Sequence, residues 1–123
     1  MVLGPTLGRA PFLLDGVLND PEMEIRNAEG EVVLRGDDWS SGAEGGISSE
    51  NDFRPLVKSY GEARIFATGL APGNRREPCI LADFPAGRYT VVVRPFERVS
   101  TDPNRNEPAV PGVGVVEVYE IDR

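Results

Sequence analysis

Glycine and proline recur along this chain so often that short strands joined by turns are favoured over helices. The 123 residues include 14 glycines and 11 prolines, spread over the whole length. Because both residues interrupt regular elements and favour turns, this spacing is typical of all-β proteins. A chain of this length forms one domain with one core. We therefore expect a single all-β domain over residues 1–123, with about eight strands and little or no helix.

Alternation of apolar and charged residues predicts a β-hairpin in the first third of the chain. Met23 and Ile25 alternate with charged residues, a period-two pattern typical of a half-exposed strand. A tight turn at Ala28–Gly30 follows, and Glu31–Arg35 returns as the second strand. Three more strands are predicted at Ala63–Thr68, Glu77–Phe84 and Tyr89–Val93.

The last apolar run is unusual because both of its sides are apolar. One side carries Val113, Val115 and Tyr119, with Glu117 between them. The other side carries Val116, Val118 and Ile121. A strand that is apolar on both faces is normally covered on both faces. The pattern therefore predicts a closing strand at the centre of a sheet rather than at its edge.

The composition argues against several classes of function. The formal net charge is -7 with a sequence pI near 4.6, and an acidic surface repels the phosphates of nucleic acids. Histidine is absent, which removes the commonest general base and metal ligand. The sequence also contains no nucleophile elbow and no phosphate-binding loop. We expect no enzymatic activity and no cofactor, apart from the calcium ion considered below.

The single cysteine and the apolar segments bear on the cellular compartment. Cys79 allows neither an internal disulfide nor a CxxC zinc site, and we expect it to be a small buried side chain rather than a reactive thiol. No stretch approaches the ~18 apolar residues of a membrane span, so no membrane insertion is expected. Met1–Pro5 does not resemble a secretory signal. The chain is therefore expected to be cytosolic or a piece of a longer exported protein.

Two polar segments, residues 36–51 and 97–110, are expected to be surface loops because their compositions cannot bury much area. The first contains Trp39, for which there are two interpretations. It is either an exposed stacking platform for a sugar or partner, or an anchor that pins the loop over the core. The anchor is favoured, since a lone tryptophan usually buries most of its large surface.

Asp37 and Asp38 in the first loop are the most suggestive polar pair. Together with Asp20, and with Glu44 or Asp52, they offer the hard oxygen ligands that calcium takes in sets of about six to eight. The spacing matches no EF-hand pattern, and aspartates also form turns for structural reasons. A structural role for these carboxylates is favoured over a bound cation.

Nine short segments follow one another along nearly the whole chain. They are Gly4–Leu7, Asp15–Pro21, Met23–Ile25, Asn27–Gly30, Asp37–Trp39, Ala67–Pro72, Glu77–Leu81, Pro85–Thr90 and Gly112–Glu120. In this order they resemble a module repeated in large exported bacterial proteins. That module is similar in style to the β-sandwich domains found beside secreted peptidases, the pre-peptidase C-terminal group. Asp37 stands where the module usually has asparagine.

The resemblance implies an antiparallel β-sandwich of jelly-roll type with a non-catalytic accessory role, outside the cell or on its surface. Our leading hypothesis is therefore an interaction module with a protein or polysaccharide partner. Some sandwiches of the wider group bind calcium, and some bind matrix polymers. The alternative hypothesis is a lectin-like module that binds calcium or carbohydrate through Asp37, Asp38 and Trp39, with Asp20 as a third metal ligand.

The sequence departs from the module in two places. The module usually has a strand before Gly4, of which only Met1–Leu3 is left, and its short glycine-rich link is replaced by the longer segment 94–111. Loss of a strand leaves a sheet edge or a groove open. We therefore expect a neighbouring segment or a second copy to fill that groove by strand addition.

Overall fold

The computed structural model describes residues 1–39, 57–97, 102–105 and 109–121, and these residues are mostly β-structure. The strands are β1 (Val2–Leu3), β2 (Pro21–Arg26), β3 (Val32–Gly36), β4 (Lys58–Tyr60), β5 (Leu81–Asp83), β6 (Thr90–Pro95) and β7 (Val115–Val116). The helices within these ranges are α1 (Glu62–Ala67) and two 3-10 turns, Pro5–Gly8 and Pro103–Arg105. The all-β prediction is thereby confirmed at the level of class. Within the described parts of the chain, no helix has the length and apolar character to cross a membrane.

The predicted hairpin is confirmed as the pair β2–β3. Asn27 organises its turn: the Oδ1 atom accepts hydrogen bonds from the backbone N–H groups of Glu29 (3.1 Å) and Glu31 (2.9 Å). Gly30 has a φ of 79°, which glycine adopts at no steric cost. The turn chemistry and the period-two alternation therefore specify the same structure.

A three-stranded antiparallel sheet forms the centre of the fold, in the order β3–β2–β6. Its register places Ile25 opposite Leu34 and Val91, whereas Glu24 lies opposite Arg35. Directly opposed residues share a face of the sheet. One face is therefore apolar, and the other carries charged residues.

The hydrophobic core lies on the apolar face. Ile25, Val33 and Leu34 are its buried centre. The partly buried residues that pack against this centre are Val57, Ile80, Ala82, Tyr89 and Val91. Several of these lie in or next to the separate pair β4–β5, in which Tyr60 donates a 2.5 Å hydrogen bond to Asp83. The β4–β5 region thus contributes the second side of the core.

The prediction of a strand at Ala63–Thr68 is wrong, because Glu62–Ala67 forms the helix α1. Gly61 is extended and begins the helix, and Glu62 places a negative charge in its first turn. Only Ile65 is buried, at 2% exposure, while Phe66 is 72% exposed. The apolar residues that suggested a strand therefore do not line one face of a sheet, and the alanines and arginine favour helix.

The prediction for the last apolar run is also wrong. Only Val115 and Val116 form a strand, and among the described residues β7 pairs with β1 alone. The physical reason lies partly in Gly112, where a Cβ atom would lie 2.6 Å from the backbone of Val17 and Leu18. The segment is held against that backbone instead of entering the three-stranded sheet. It lies at an edge, with its side chains exposed.

The strand predicted at Glu77–Phe84 is shorter than expected, since only Leu81–Asp83 pairs as β5. The predicted strand at Tyr89–Val93 is confirmed as β6. Much of the two predicted loops lies outside the described residues, namely 40–51 of the first and 98–101 and 106–108 of the second.

Candidate functional site

The hairpin brings three predicted carboxylates to one end of the central sheet. Asp20 comes directly before β2, and Asp37 and Asp38 come directly after β3. The antiparallel register, which pairs Met23 with Gly36, makes these two chain ends neighbours. One carboxylate oxygen from each aspartate lies within 4.8 Å of the other two. All three side chains are half-buried.

This spacing fits a shared cation. Calcium–oxygen distances are about 2.3–2.6 Å, so two oxygens on one ion lie up to about 5 Å apart. Three clustered negative charges repel one another, and Arg76 offsets part of this repulsion: its Nη1 atom lies 3.8 Å from Asp20 Oδ2, and its side chain is 53% exposed. Glu44 and Asp52, the other predicted ligands, lie outside the described residues.

Trp39 lies next to this cluster and is half-buried. Its Nε1 atom is shielded from solvent and has no hydrogen-bond acceptor among the described residues. An indole that stacks on a sugar presents its ring face to solvent, whereas an anchoring indole does not. The placement of Trp39 fits the anchoring interpretation.

A fully buried carboxylate, Glu77, ties the start of the chain to the segment before β5. Its Oε1 accepts hydrogen bonds from the backbone N–H groups of Gly4 (3.0 Å) and Thr6 (2.7 Å), and its Oε2 accepts one from Thr6 Oγ1 (2.8 Å). The side chain has 0% exposure. Sequence analysis missed this role, although Gly4–Leu7 and Glu77–Leu81 are two of the nine segments. The sequence signal for this role was a charged residue, Glu77, directly before the apolar stretch that leads into β5.

A second buried carboxylate, Glu24, lies on the charged face of the central sheet beneath three arginines. Arg26 donates hydrogen bonds to the Glu24 carboxylate from Nη2 (2.5 Å) and Nε (3.1 Å). Arg35 donates one from Nε (3.2 Å), and Arg94 donates one from Nη2. The hydrogen bond from Arg26 lowers the pKa of Glu24, with help from the charges of Arg94 and Arg26 and against the effect of burial. We name Arg26, Arg35 and Arg94 the arginine platform. Sequence analysis recognised the alternating strand and missed the partner arginines on β3 and β6.

The end of the described chain exposes a strip of large apolar side chains. The members of this C-terminal apolar strip are Val113, Val115, Val116, Val118, Tyr119 and Ile121, with exposures between 40% and 82%. Beside the strip lies a groove of about 280 Å³, whose lining includes Val2, Leu18, Val93, Pro95, Pro111 and Val116. A run of exposed apolar side chains beside an apolar groove is typical of interaction surfaces.

Cys79 is half-buried, and burial raises the pKa of its thiol. A raised pKa leaves little thiolate at neutral pH, and the thiolate is the nucleophile. The side chain thus lacks the environment of a reactive cysteine.

In comparisons with known proteins, no family model, no curated protein and no solved structure matched this chain. The candidate sites therefore rest on the geometry and chemistry described above.

Proposed function

We propose that this chain is a non-catalytic interaction module, built as an antiparallel β-sandwich, that associates with a second copy through the C-terminal apolar strip. The predominantly β fold supports the architecture, with the β4–β5 region packed over one face of the central sheet. The absence of histidine supports the non-catalytic role. The two buried carboxylates also support it, because Glu24 and Glu77 are engaged in contacts within the chain.

The C-terminal apolar strip is the observation that carries this proposal. In the strip, Val118 is 82% and Val113 54% exposed. Transfer of apolar surface from water contributes roughly 25 cal/mol per Å², so covering such side chains favours association. Strand β7 pairs only with β1 among the described residues, which leaves its other edge for strand addition. Two copies of one segment can pair antiparallel about a twofold axis.

The sequence resemblance supports placing this module in an exported or cell-surface bacterial protein. Its nine segments occur in the order of modules found in such proteins, and the same resemblance supports the jelly-roll form of the sandwich. The proposed accessory role follows from that setting, in which the module joins protein chains rather than transforming a substrate.

Sedimentation velocity over a range of protein concentrations tests the association. We expect a monomer–dimer equilibrium, which Val118→Glu shifts to monomer because a charge is then buried in the apolar contact. Phe66→Glu is the matched control: Phe66 is 72% exposed but belongs to α1, outside the strip. It is expected to leave the equilibrium unchanged. A protein that stays monomeric at all concentrations refutes self-association through the strip.

Calcium binding is the second candidate function, favoured by the carboxylate spacing of Asp20, Asp37 and Asp38. A ligand that binds only the native state raises the unfolding midpoint, so millimolar calcium should raise Tm relative to chelator. Asp37→Asn should reduce that difference, whereas Asp15→Asn, an exposed aspartate outside the cluster, should preserve it. An identical Tm in calcium and chelator would exclude the calcium site.

A further inference from the structure

The sequence contains a single aspartate that is followed by glycine, at Asp15–Gly16, and no asparagine that is followed by glycine. An aspartate carboxyl group can react with the backbone nitrogen of the next residue to form a five-membered succinimide ring. A side chain on that next residue hinders the approach. Glycine has no Cβ atom, so Asp15 is the aspartate at which ring closure meets the least hindrance.

The structure leaves both reacting groups of this pair open. Asp15 and Gly16 are exposed. Within the described parts of the chain, the Gly16 N–H group donates no hydrogen bond, and the Asp15 carboxyl group makes neither a hydrogen bond nor an ion pair. Gly16 has a φ of 68°, and a Cβ atom built on it would meet no atom within 4 Å. The two groups are thus adjacent in the chain, which favours an intramolecular reaction, and the ring has room to form.

The other aspartates with described surroundings are less suited to this reaction. Asp20 and Asp102 precede prolines, whose nitrogen carries no hydrogen. Asp83 lies in β5 before a phenylalanine, and its carboxylate accepts the 2.5 Å hydrogen bond from Tyr60. Asp15 therefore differs from them in the residue that follows it and in the freedom of its carboxyl group.

We propose that Asp15–Gly16 is a site of spontaneous aspartate isomerisation, with water as the co-reactant. The Gly16 nitrogen attacks Cγ of Asp15: the N–Cγ bond forms, the Cγ–OH bond breaks, and the hydroxyl leaves as water with the proton of the nitrogen. Water then adds to one of the two ring carbonyls. Opening at Cγ restores aspartate. Opening at the backbone carbonyl breaks its bond to nitrogen and gives isoaspartate, in which the chain runs through Cγ and the α-carboxyl group is free.

Isomerisation would act on the C-terminal apolar strip, because the segment around Asp15 is held on both sides. The Leu14 N–H group donates to the Leu7 carbonyl (2.9 Å), and the Gly16 carbonyl accepts from the Val113 N–H group (2.9 Å). Isoaspartate lengthens the backbone between these two bonds by one C–C bond, about 1.5 Å. The Gly16–Val113 bond is the nearer of the two to the inserted atom. Its loss would loosen the start of the strip.

Storage of the folded protein at neutral pH and physiological temperature tests the site. Trypsin releases residues Ala10–Arg26, in which electron-transfer fragmentation distinguishes isoaspartate from aspartate. We expect a several-fold higher isoaspartate content at position 15 than at Asp83. A content no higher than at Asp83 overturns the proposal. So does isoaspartate that forms only in urea, because the folded segment would then prevent ring closure.

Two variants at the same exposed position test the ring mechanism. Asp15→Asn should react faster than wild type, because ammonia leaves more readily than water. Asp15→Glu should not react, since its six-membered ring closes far more slowly. Equal rates in the three proteins would overturn the succinimide route.

Amide hydrogen exchange tests the effect on the strip. Isoaspartate-containing protein should lose protection at the amides of Val113 and Leu18, which bond to the Gly16 and Val113 carbonyls, while the central sheet keeps its protection. Stored Asp15→Glu should match fresh protein. The same loss is expected in the Val118→Glu background, so the result does not depend on self-association. Unchanged protection at both amides would overturn the link between isomerisation and the strip.

Discussion

Removal of the Glu77 side chain should be among the most damaging changes in this protein. Glu77→Ala would leave three donors without their acceptor: the N–H groups of Gly4 and Thr6 and the hydroxyl of Thr6. Hydrogen bonds to a charged group contribute roughly 1.5–3 kcal/mol each, but bonds to one carboxylate are not additive. Each buried donor that loses its acceptor costs about 1–3 kcal/mol.

With three donors affected, we expect Glu77→Ala to reduce the free energy of unfolding by about 4 kcal/mol, a large part of the roughly 5–15 kcal/mol that domains possess. At roughly 3–5 °C per kcal/mol, Tm should fall by about 15 °C. Urea unfolding followed by the fluorescence of the single tryptophan, together with circular dichroism, measures the change. Glu120→Ala removes an exposed carboxyl group and should stay within about 0.5 kcal/mol of wild type.

An isosteric variant shows whether hydrogen bonding explains the loss. Glu77→Gln retains an acceptor oxygen for the two backbone donors, and the Thr6 hydroxyl can rotate to accept from the new amide. We expect it to cost about 1–2 kcal/mol, clearly less than the alanine variant. A loss below about 1 kcal/mol for Glu77→Ala would refute the reasoning, because the three donors would then be satisfied without the carboxylate.

Three further predictions about stability follow from the described contacts. The pKa of Glu24 is lowered in the folded state from its ordinary value of 4.5. The ionised Glu24 therefore stabilises the folded state above about pH 4.5, and this stabilisation is lost as the pH falls through the lower pKa of the folded state. Urea midpoints should therefore fall more steeply below about pH 4.5 for wild type than for Glu24→Gln. Gly112→Ala places a Cβ atom 2.6 Å from backbone atoms and should cost about 1–3 kcal/mol in urea unfolding. Ile65→Ala, at 2% exposure, should cost about 2–5 kcal/mol in the same measurement.

The hairpin could be predicted from sequence because its signals are local. The alternation around Met23 and Ile25 sets the faces of β2, and Asn27 and Gly30 set the turn. Once this hairpin is known, the proximity of Asp20 to Asp37 follows from antiparallel pairing. The proximity of the three aspartates in the candidate metal cluster could therefore be predicted from the sequence.

The wrong prediction for the last apolar run and the missed role of Glu77 have a common physical origin. Residue types indicate which local conformation a segment prefers, but they do not indicate which distant segment it will contact. The valines after Gly112 favour an extended chain, yet nothing in them states which strand they pair with. Close approach of Gly112 to Val17 and Leu18 decides the position of that segment, and this contact spans most of the chain. Glu77 and Gly4 are likewise far apart in sequence. Such long-range contacts were beyond single-sequence reasoning.

Strand β2 carries the apolar core of this protein on one face and its charged cluster on the other. Met23 and Ile25 face the core, while Glu22, Glu24 and Arg26 face the other way, so a shift of one residue in register would bury the charges and expose the core. Burial of these charges is far more costly than any gain on the charged face. The core therefore fixes the positions of the arginine platform.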